Sequence, residues 1–295
     1  MARILVFALV LIANLPLQAQ QFSFSLGVYT GVAGSFTSDK GIEKDPRYEG
    51  LFETKLVPFG LNLGIDYEGF GIMVSPGIVN VGQNFYVVNT QRGQDGLREI
   101  DLRYLTMPVS FKVNLVRFHA FKLSAVASIA PSFLMDGREE LSHRPTKLIF
   151  PEEVYPMLPS TYTIEYDGVL APEVDHYVIS QKKDFRPVQL FAGAGFRTDW
   201  DPSNYWRISV DMKLNYGVFD PRSGTYKENL ESTVGLYEVA TDRRDIFAQF
   251  TIGISRYIEF DKSDKERTKK IRGSSKRFKT SQYPGQRVRV GKPKD

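Results

Sequence analysis

The sequence predicts an all-β protein: an eight-stranded antiparallel up-and-down transmembrane β-barrel, followed by a basic C-terminal tail that is disordered when alone. Three observations predict it. Apolar residues alternate with small or polar ones in eight separate segments, which places the two kinds on opposite faces of a strand. The polar side is dominated by Gly, Ser and Asn, as in a narrow lumen filled by side chains, which leaves the apolar side for lipid. No segment after the N-terminus carries the ~18 apolar residues of a transmembrane helix, whereas a barrel strand needs only ~9–11 residues.

The chain opens with Arg3, an apolar run over 4–15, and Pro16-Leu17-Gln18-Ala19, the pattern of a secretory signal peptide. Residues 1–19 are therefore expected to be removed, residues 20–260 to form the barrel, and the location to be the outer membrane of a Gram-negative cell. There is no Cys, so an exported chain must find stability elsewhere, and closed hydrogen-bonded strands supply it. An aromatic content of 13% suits the girdles of a barrel. A mean hydropathy of -0.25 fits one whose loops and lumen dilute its lipid face.

In chain order, the first strand covers about 21–35, with Phe22, Phe24, Leu26 and Val28 opposite Ser23, Ser25 and Gly27. After a polar stretch over 37–54, Phe59, Leu61, Leu63, Ile65 and Tyr67 alternate with Gly60, Asn62, Gly64, Asp66 and Glu68. Glu68-Gly69-Phe70-Gly71 reads as a tight turn into the third strand, where Ile72, Val74 and Ile78 face away from Ser75 and Gly77. Pro76 removes a hydrogen bond there, and Pro108 does so in the fourth strand, over 100–114, after a polar loop at 89–96. The fourth strand sets Leu105, Met107, Val109, Phe111 and Val113 against Tyr104, Thr106, Ser110 and Lys112. The fifth covers 121–133, with Val126 breaking its polar side.

A long segment over 134–184 precedes the sixth strand, in which Val188, Leu190, Ala192, Ala194 and Phe196 oppose Gln189, Gly193, Gly195 and Arg197. Asp201-Pro202-Ser203-Asn204 is a turn. The seventh strand has Ile208, Val210, Met212, Leu214 and Tyr216 outside; the eighth, after a connection at 220–244, has Ile246, Ala248, Phe250, Ile252 and Ile254. Connections alternate long and short, beginning and ending long, as an outer-membrane barrel with both chain ends in the periplasm requires.

Charge divides the chain. Residues 261–295 hold thirteen Lys and Arg against four Asp and Glu, whereas 20–260 hold 24 basic and 30 acidic residues. Asp66, Glu68, Lys112, Lys122, Arg197, Asp211 and Lys213 all point inward by parity. An eight-stranded interior is just wide enough for side chains, so these charges are expected to pair rather than line a channel.

Tyr104-Leu105-Thr106-Met107-Pro108-Val109-Ser110-Phe111-Lys112 resembles the Tyr-Leu-x-(Ile/Met)-Pro-Leu-x-x-Lys strand of the PorT-like outer-membrane β-barrel proteins of the Bacteroidota, with Val109 where Leu is usual. Ala130-Pro131-Ser132-Phe133-Leu134 is similar to the strand end that follows it in that family, and Leu190-Phe191-Ala192-Gly193-Ala194-Gly195-Phe196 to a later Gly-x-Gly strand. The resemblance covers about 21–260 and implies a link to type IX secretion. The third long connection and the basic extension depart from the family's small members.

The histidines, His119, His143 and His176, read as solvated loop or turn residues, since none falls in a predicted strand and no Cys joins them. No metal, cofactor or catalytic group is expected. In the third long connection, the strand-like runs 162–166 and 177–180 suggest a hairpin above the membrane, and its aromatics, Tyr162, Tyr166 and Tyr177 foremost, are candidate partner contacts. In the tail, Lys269, Lys270, Arg272, Lys276, Arg277 and Lys279 are candidates for a salt-sensitive periplasmic partner; nucleic acid is not expected after a signal peptide. The function expected is a non-enzymatic outer-membrane anchor or subunit of an envelope assembly, linked to type IX secretion or gliding motility, in contact with outer-membrane lipid and an envelope protein. The alternatives are a lipid-modifying barrel enzyme and a small-solute pore.

Overall fold

The alternating segments do become strands. A computed structural model describes residues 22–260 except 53, 56, 57, 68, 204, 233, 234, 239 and 240. The expected signal peptide, 1–19, and the basic tail, 261–295, lie outside the described residues, as does Glu68. Ser23–Ile258 form one unit; of the other, Met1–Phe22 with Glu259–Asp295, only Phe22, Glu259 and Phe260 are described.

Strand β1, Phe22–Asp39, leads through helix α1, Lys40–Lys44, and β2, Tyr48–Leu51, to β3, Thr54–Lys55, and β4, Phe59–Asp66, both antiparallel to β1. The next path upward is β5, Phe70–Val74, β6, Gly77–Val81, and β7, Asn84–Val88. Its return is β8, Gln94–Thr106, and β9, Val109–Phe118. Each path breaks at a proline that has no N–H to give, Pro76 and Pro108, and the Ser75 amide bridges the two breaks by donating to the Pro108 carbonyl at 3.0 Å.

The longest strand, β10, Phe121–His143, pairs with β9 along its first half and β8 along its second. Beyond it come β11, Thr146–Leu148, β12, Thr163–Glu165, β13, Gly168–Ala171, and β14, Val174–Gln181, then β15, Val188–Trp200, and β16, Trp206–Gly217. Helix α2, Gly224–Ser232, precedes β17, Arg243–Phe260. Hydrogen-bonded neighbours run β1, β4, β5, β9, β10, β15, β16, β17, and β17 neighbours β1.

Three expectations are corrected here. Instead of eight continuous strands, the described residues form seventeen strand segments, because several paths continue past the apolar belt or break at proline. The polar stretch at 89–96 is not a long loop: β7 and β8 extend the hairpin to a tight turn, where the Asn89 side chain accepts from the amides of Gln91 and Gly93 and Arg92 has φ 62°. The connection 134–184 is ordered, and its first ten residues are simply β10 continuing to His143. Its two strand-like runs do not pair with each other: β12 pairs with β13, and β14 with β10.

The facing of the strands follows parity. Ile129 is 59% and Leu214 57% exposed, while the inward neighbours Ser128 and Asn215 are 7% and 5% exposed. Large apolar side chains stand outward on each of the eight strands β1, β4, β5, β9, β10, β15, β16 and β17, far more than a water-facing surface tolerates. Among the described residues no helix is long and apolar enough to cross a membrane.

A paired interior, an aromatic layer and a clamped cap

Inside the strands, charge is concentrated near the short-turn end. Lys112 Nζ lies 2.8 Å from Asp66 and 2.7 Å from Asp199. Arg197 donates to Asp199 and Asp211, both at 2.7 Å. Arg207 meets Asp66 and, at 2.7 Å, Asp201, which also takes Lys122 at 2.9 Å. The expected pairing of Asp66, Lys112, Lys122, Arg197 and Asp211 is therefore present, with Lys213 Nζ 3.8 Å from Asp211. Asp199, Asp201 and Arg207 complete the layer. Strand parity could have found two of them, since Asp199 follows Arg197 by two positions and Arg207 precedes Asp211 by four.

Above this layer lies a small polar cavity of about 20 Å³, lined by groups that include Tyr29, Asn62, Ser75, Asp211 and Lys213. It is roofed by apolar side chains that parity directs inward: Tyr104 packs edge-on against Phe191 (centroids 5.6 Å apart) and Phe191 against Phe247 (5.2 Å), with Ala130, Leu134, Ile100 and Leu102 around them. The interior is thus not uniformly polar. Tyr104, Phe191 and Phe247 make it, at this level, a packed core.

Beyond the aromatic layer, at the long-connection end, the connections are clamped by buried arginines. Glu139 of β10 accepts from Arg98 Nε at 2.8 Å and from Arg243 Nη1 at 2.8 Å, and Ser180 of β14 donates to it at 3.3 Å. Asp39, at the N-terminus of α1, accepts from the amides of Gly41 and Ile42 and from Arg243 Nε at 2.8 Å. Arg222 reaches Glu238 at 3.0 Å and Asp220 at 3.1 Å, and the Tyr226 hydroxyl donates to Glu238 at 2.6 Å.

Residues 236–238 are the keystone. Arg47 donates to the Leu236 carbonyl and Arg98 to that of Tyr237, each at 2.9 Å. The Arg47 guanidinium also stacks 4.3 Å from the Phe150 ring centroid.

The electrostatics follow from this geometry. Burial pulls Asp39 and Glu139 upward, but the guanidiniums of Arg243 with Arg222, and of Arg243 with Arg98, outweigh it and hold both carboxyls well below their ordinary range. Asp220 is likewise held down: burial is outweighed by hydrogen bonding and charge from Arg222. Burial pushes the phenols of Tyr226 and Tyr237 far up, helped by Glu238 and Tyr162 respectively.

On top sits a small sheet of β11, β13 and β12 over a second apolar cluster that includes Val87, Leu141, Leu148, Phe150 and Val169. The candidate tyrosines divide here. Tyr162 shares a 2.5 Å hydrogen bond with Tyr237, and Tyr177 packs 5.5 Å from the same ring, so both brace the keystone. Tyr166 stands apart and is fully exposed in the turn between β12 and β13. Ile164 and Leu170 are 62% and 43% exposed, on opposite faces of the small sheet, since Ile164 pairs with Val169 and Leu170 with Thr163. The tail candidates, Lys269, Lys270, Arg272, Lys276, Arg277 and Lys279, lie outside the described residues.

The histidine expectation is corrected for His143, whereas His119 and His176 are exposed. His143 ends β10, is 3% exposed, and has its ring between the Arg144 carbonyl, at 3.0 Å, and the Tyr237 hydroxyl, at 3.5 Å; burial pulls it down from the ordinary imidazole value. His176 lies in β14 with φ 46°. Among the described residues no group of three His, Cys, Asp or Glu is placed to hold a metal ion.

No curated protein matches the sequence. Solved structures similar to this chain include Neisserial surface protein A (8% identity, TM-score 0.36, 80% of this chain and 97% of that one). Others are the outer membrane protease OmpT from Escherichia coli (9%, 0.41, 81% and 97%) and Ail, the attachment invasion locus protein of Yersinia pestis (12%, 0.31, 82% and 100%). At such identities and scores they carry no argument about activity. The family described as outer membrane protein beta-barrel domain matches residues 18–221, more than half of the chain. With strands that turn apolar side chains outward all round, the chain belongs to that family, and its place is the outer membrane.

Proposed function

We propose that the strand circuit closes as an eight-stave barrel acting as a non-enzymatic anchor, and that its cap contacts a protein partner outside the cell. The single observation that carries this is the contrast within the cap. Its interior is clamped by four buried arginines, yet Tyr166 in the turn between β12 and β13, and Ile164 and Leu170 on opposite faces of the small sheet, are left uncovered. Ordering polar connections around buried charge is costly, and a rigid frame under exposed apolar groups is what a contact surface requires. The paired charge layer and the aromatic roof favour this reading over a pore. The resemblance of 104–112 to PorT-like proteins favours type IX secretion or gliding motility as the setting.

The test is Ile164→Asp/Tyr166→Asp/Leu170→Asp in the full chain. It should remain heat-modifiable on gels, as folded barrels are, while the secretion or motility phenotype of a deletion strain returns. Full complementation by this variant, or large steady conductance of the wild type in a planar bilayer, would overturn the reading.

A further inference from the structure

Around the outer wall, the apolar belt thins between β10 and β15 just above a register pair, with Met135 the last exposed large apolar side chain on β10. The pair is Phe133 and Val188, both outward and about half exposed. The chain above it is basic. Pro187 accepts from the Leu134 amide at 2.9 Å; next comes Arg186, then the 3-10 turn Lys182–Asp184, and Arg138 of β10 lies opposite Gln181 of β14. At ~3.3 Å per extended residue, Arg186 can sit at most about 7 Å beyond Val188, and less along the membrane normal because barrel strands tilt. The interfacial layer of one leaflet is roughly 5–8 Å thick, and long basic side chains reach along it.

These cations differ from those of the interior in having little protein counter-charge. Asp184 caps its own turn by accepting from the Gln181 amide at 2.9 Å, Asp136 accepts from the Gly137 amide at 2.9 Å, and Glu140 meets Arg138. Among the described residues Lys182, Lys183 and Arg186 make no ion pair. Arg186 is nevertheless held in place: its amide donates to the Pro221 carbonyl at 2.7 Å, its Nε to that of Arg222 at 3.3 Å, and its guanidinium lies 5.8 Å from the exposed Phe219 ring.

We propose that Lys182, Lys183 and Arg186 bind the phosphate headgroups of outer-leaflet lipid. The reason is complementarity: unneutralised cations at the edge of a lipid-facing surface meet the anionic oxygens of that leaflet, and a charge-assisted hydrogen bond to phosphate is among the strong ones. The site depends on the outer-membrane location and not on whether the cap binds a protein.

The test uses the purified full chain in neutral detergent, with binding of bis-phosphorylated lipid A followed by native mass spectrometry and by titration at two salt concentrations. Lys182→Gln/Lys183→Gln/Arg186→Gln should weaken binding on the order of a hundredfold at low salt, and Lys182→Arg/Lys183→Arg should keep it. Lipid A stripped of its phosphates should bind both proteins equally weakly, and millimolar inorganic phosphate should not compete. Unchanged affinity of the Gln variant, equal binding of the stripped lipid, or competition by inorganic phosphate at the lipid's own concentration would overturn the proposal.

Discussion

Glu139→Gln should unfasten the cap while leaving the membrane-level strands folded. Glu139 is 0% exposed and lies between two guanidiniums, of Arg98 and Arg243, that are themselves 1% and 0% exposed. The amide keeps the shape but removes the negative charge and one acceptor. Arg243 retains Asp39 at 2.8 Å, whereas Arg98 is left with the Tyr237 carbonyl at 2.9 Å and the Tyr48 ring at 4.7 Å, neither of them charged. Breaking a buried pair so that one ion is uncompensated costs roughly 3–5 kcal/mol. Taken at about 4 kcal/mol, the open population of the cap rises nearly a thousandfold.

Amide exchange of β14 and residues 236–238 reads that opening, and heat-modifiable migration reads the strands below. Adding Arg98→Met should restore most of the protection, because the uncompensated cation leaves with it. Exchange in the cap within threefold of wild type, or no recovery in the double variant, would refute the reasoning.

Two further predictions concern pH and closure. Asp39, Glu139 and Asp220 have folded values below their unfolded ones of about 4, so their stabilisation is complete above pH ~5 and lost as pH falls through 4 toward the folded values; His143, also lowered, begins to lose its contribution as pH falls through about 6.5. Burial raises Asp245, at the start of β17 and beside Thr37, to about 6, so its cost fades as pH falls from 6 toward 4 and opposes the His143 loss. Cap exchange protection should therefore be flat from about pH 8 to 6.5, change little down to about pH 4 and fall steeply below it, and a cap loosened first by alkali would contradict the assignment. At the junction of β1 and β17, a Cβ on Gly31 would meet the Phe250 carbonyl oxygen and come within 2.6 Å of Thr251 Cα, while one on Gly69 meets nothing within 4 Å. Gly31→Val should abolish heat-modifiable folding and Gly69→Ala leave it intact; equal behaviour of the two would place the junction elsewhere.

Parity made the facing of the strands legible. Leu105, Met107, Val109, Phe111 and Val113 are all outward and exposed, and Tyr104, Ser110 and Lys112 inward and buried, as alternation alone requires. What alternation hides is where the water begins. Above the belt β10 runs on as a strand, but a bulge between Leu134 and Asp136 moves the inward side chains from even positions such as Ser124 and Ser128 to odd ones such as Glu139 and Leu141, so the alternation read below 134 misplaces every side chain above it. The cap arginines escaped for another reason. Arg47, Arg98, Arg222 and Arg243 sit in segments rich in Asp and Glu, where a solvated surface and a buried clamp have the same composition. Only the convergence of residues 41 to 139 positions apart, as when Arg98 meets Glu139 and Tyr237, tells them apart. Tyr162 and Tyr177 were legible as aromatic, but their role depends on Tyr237, from a different connection.

The two charged layers have a task that alternation cannot perform. A slip of one residue between neighbouring strands would turn every apolar side chain inward, and lipid rejects it. A slip of two residues preserves the facing of every side chain, so neither lipid nor the small residues of the lumen oppose it. It does, however, separate Lys112 from Asp199 (87 positions apart), Arg207 from Asp66 (141 apart) and Arg243 from Glu139 (104 apart), leaving several buried ions unpaired at once. The penalty for each is of the order of several kcal/mol, far above the ~0.2–1 kcal/mol by which one cross-strand pair of side chains differs from another. The interior charges thus select the register that the periodic surface leaves open, near the short-turn end for the membrane strands and at the long-connection end for the cap.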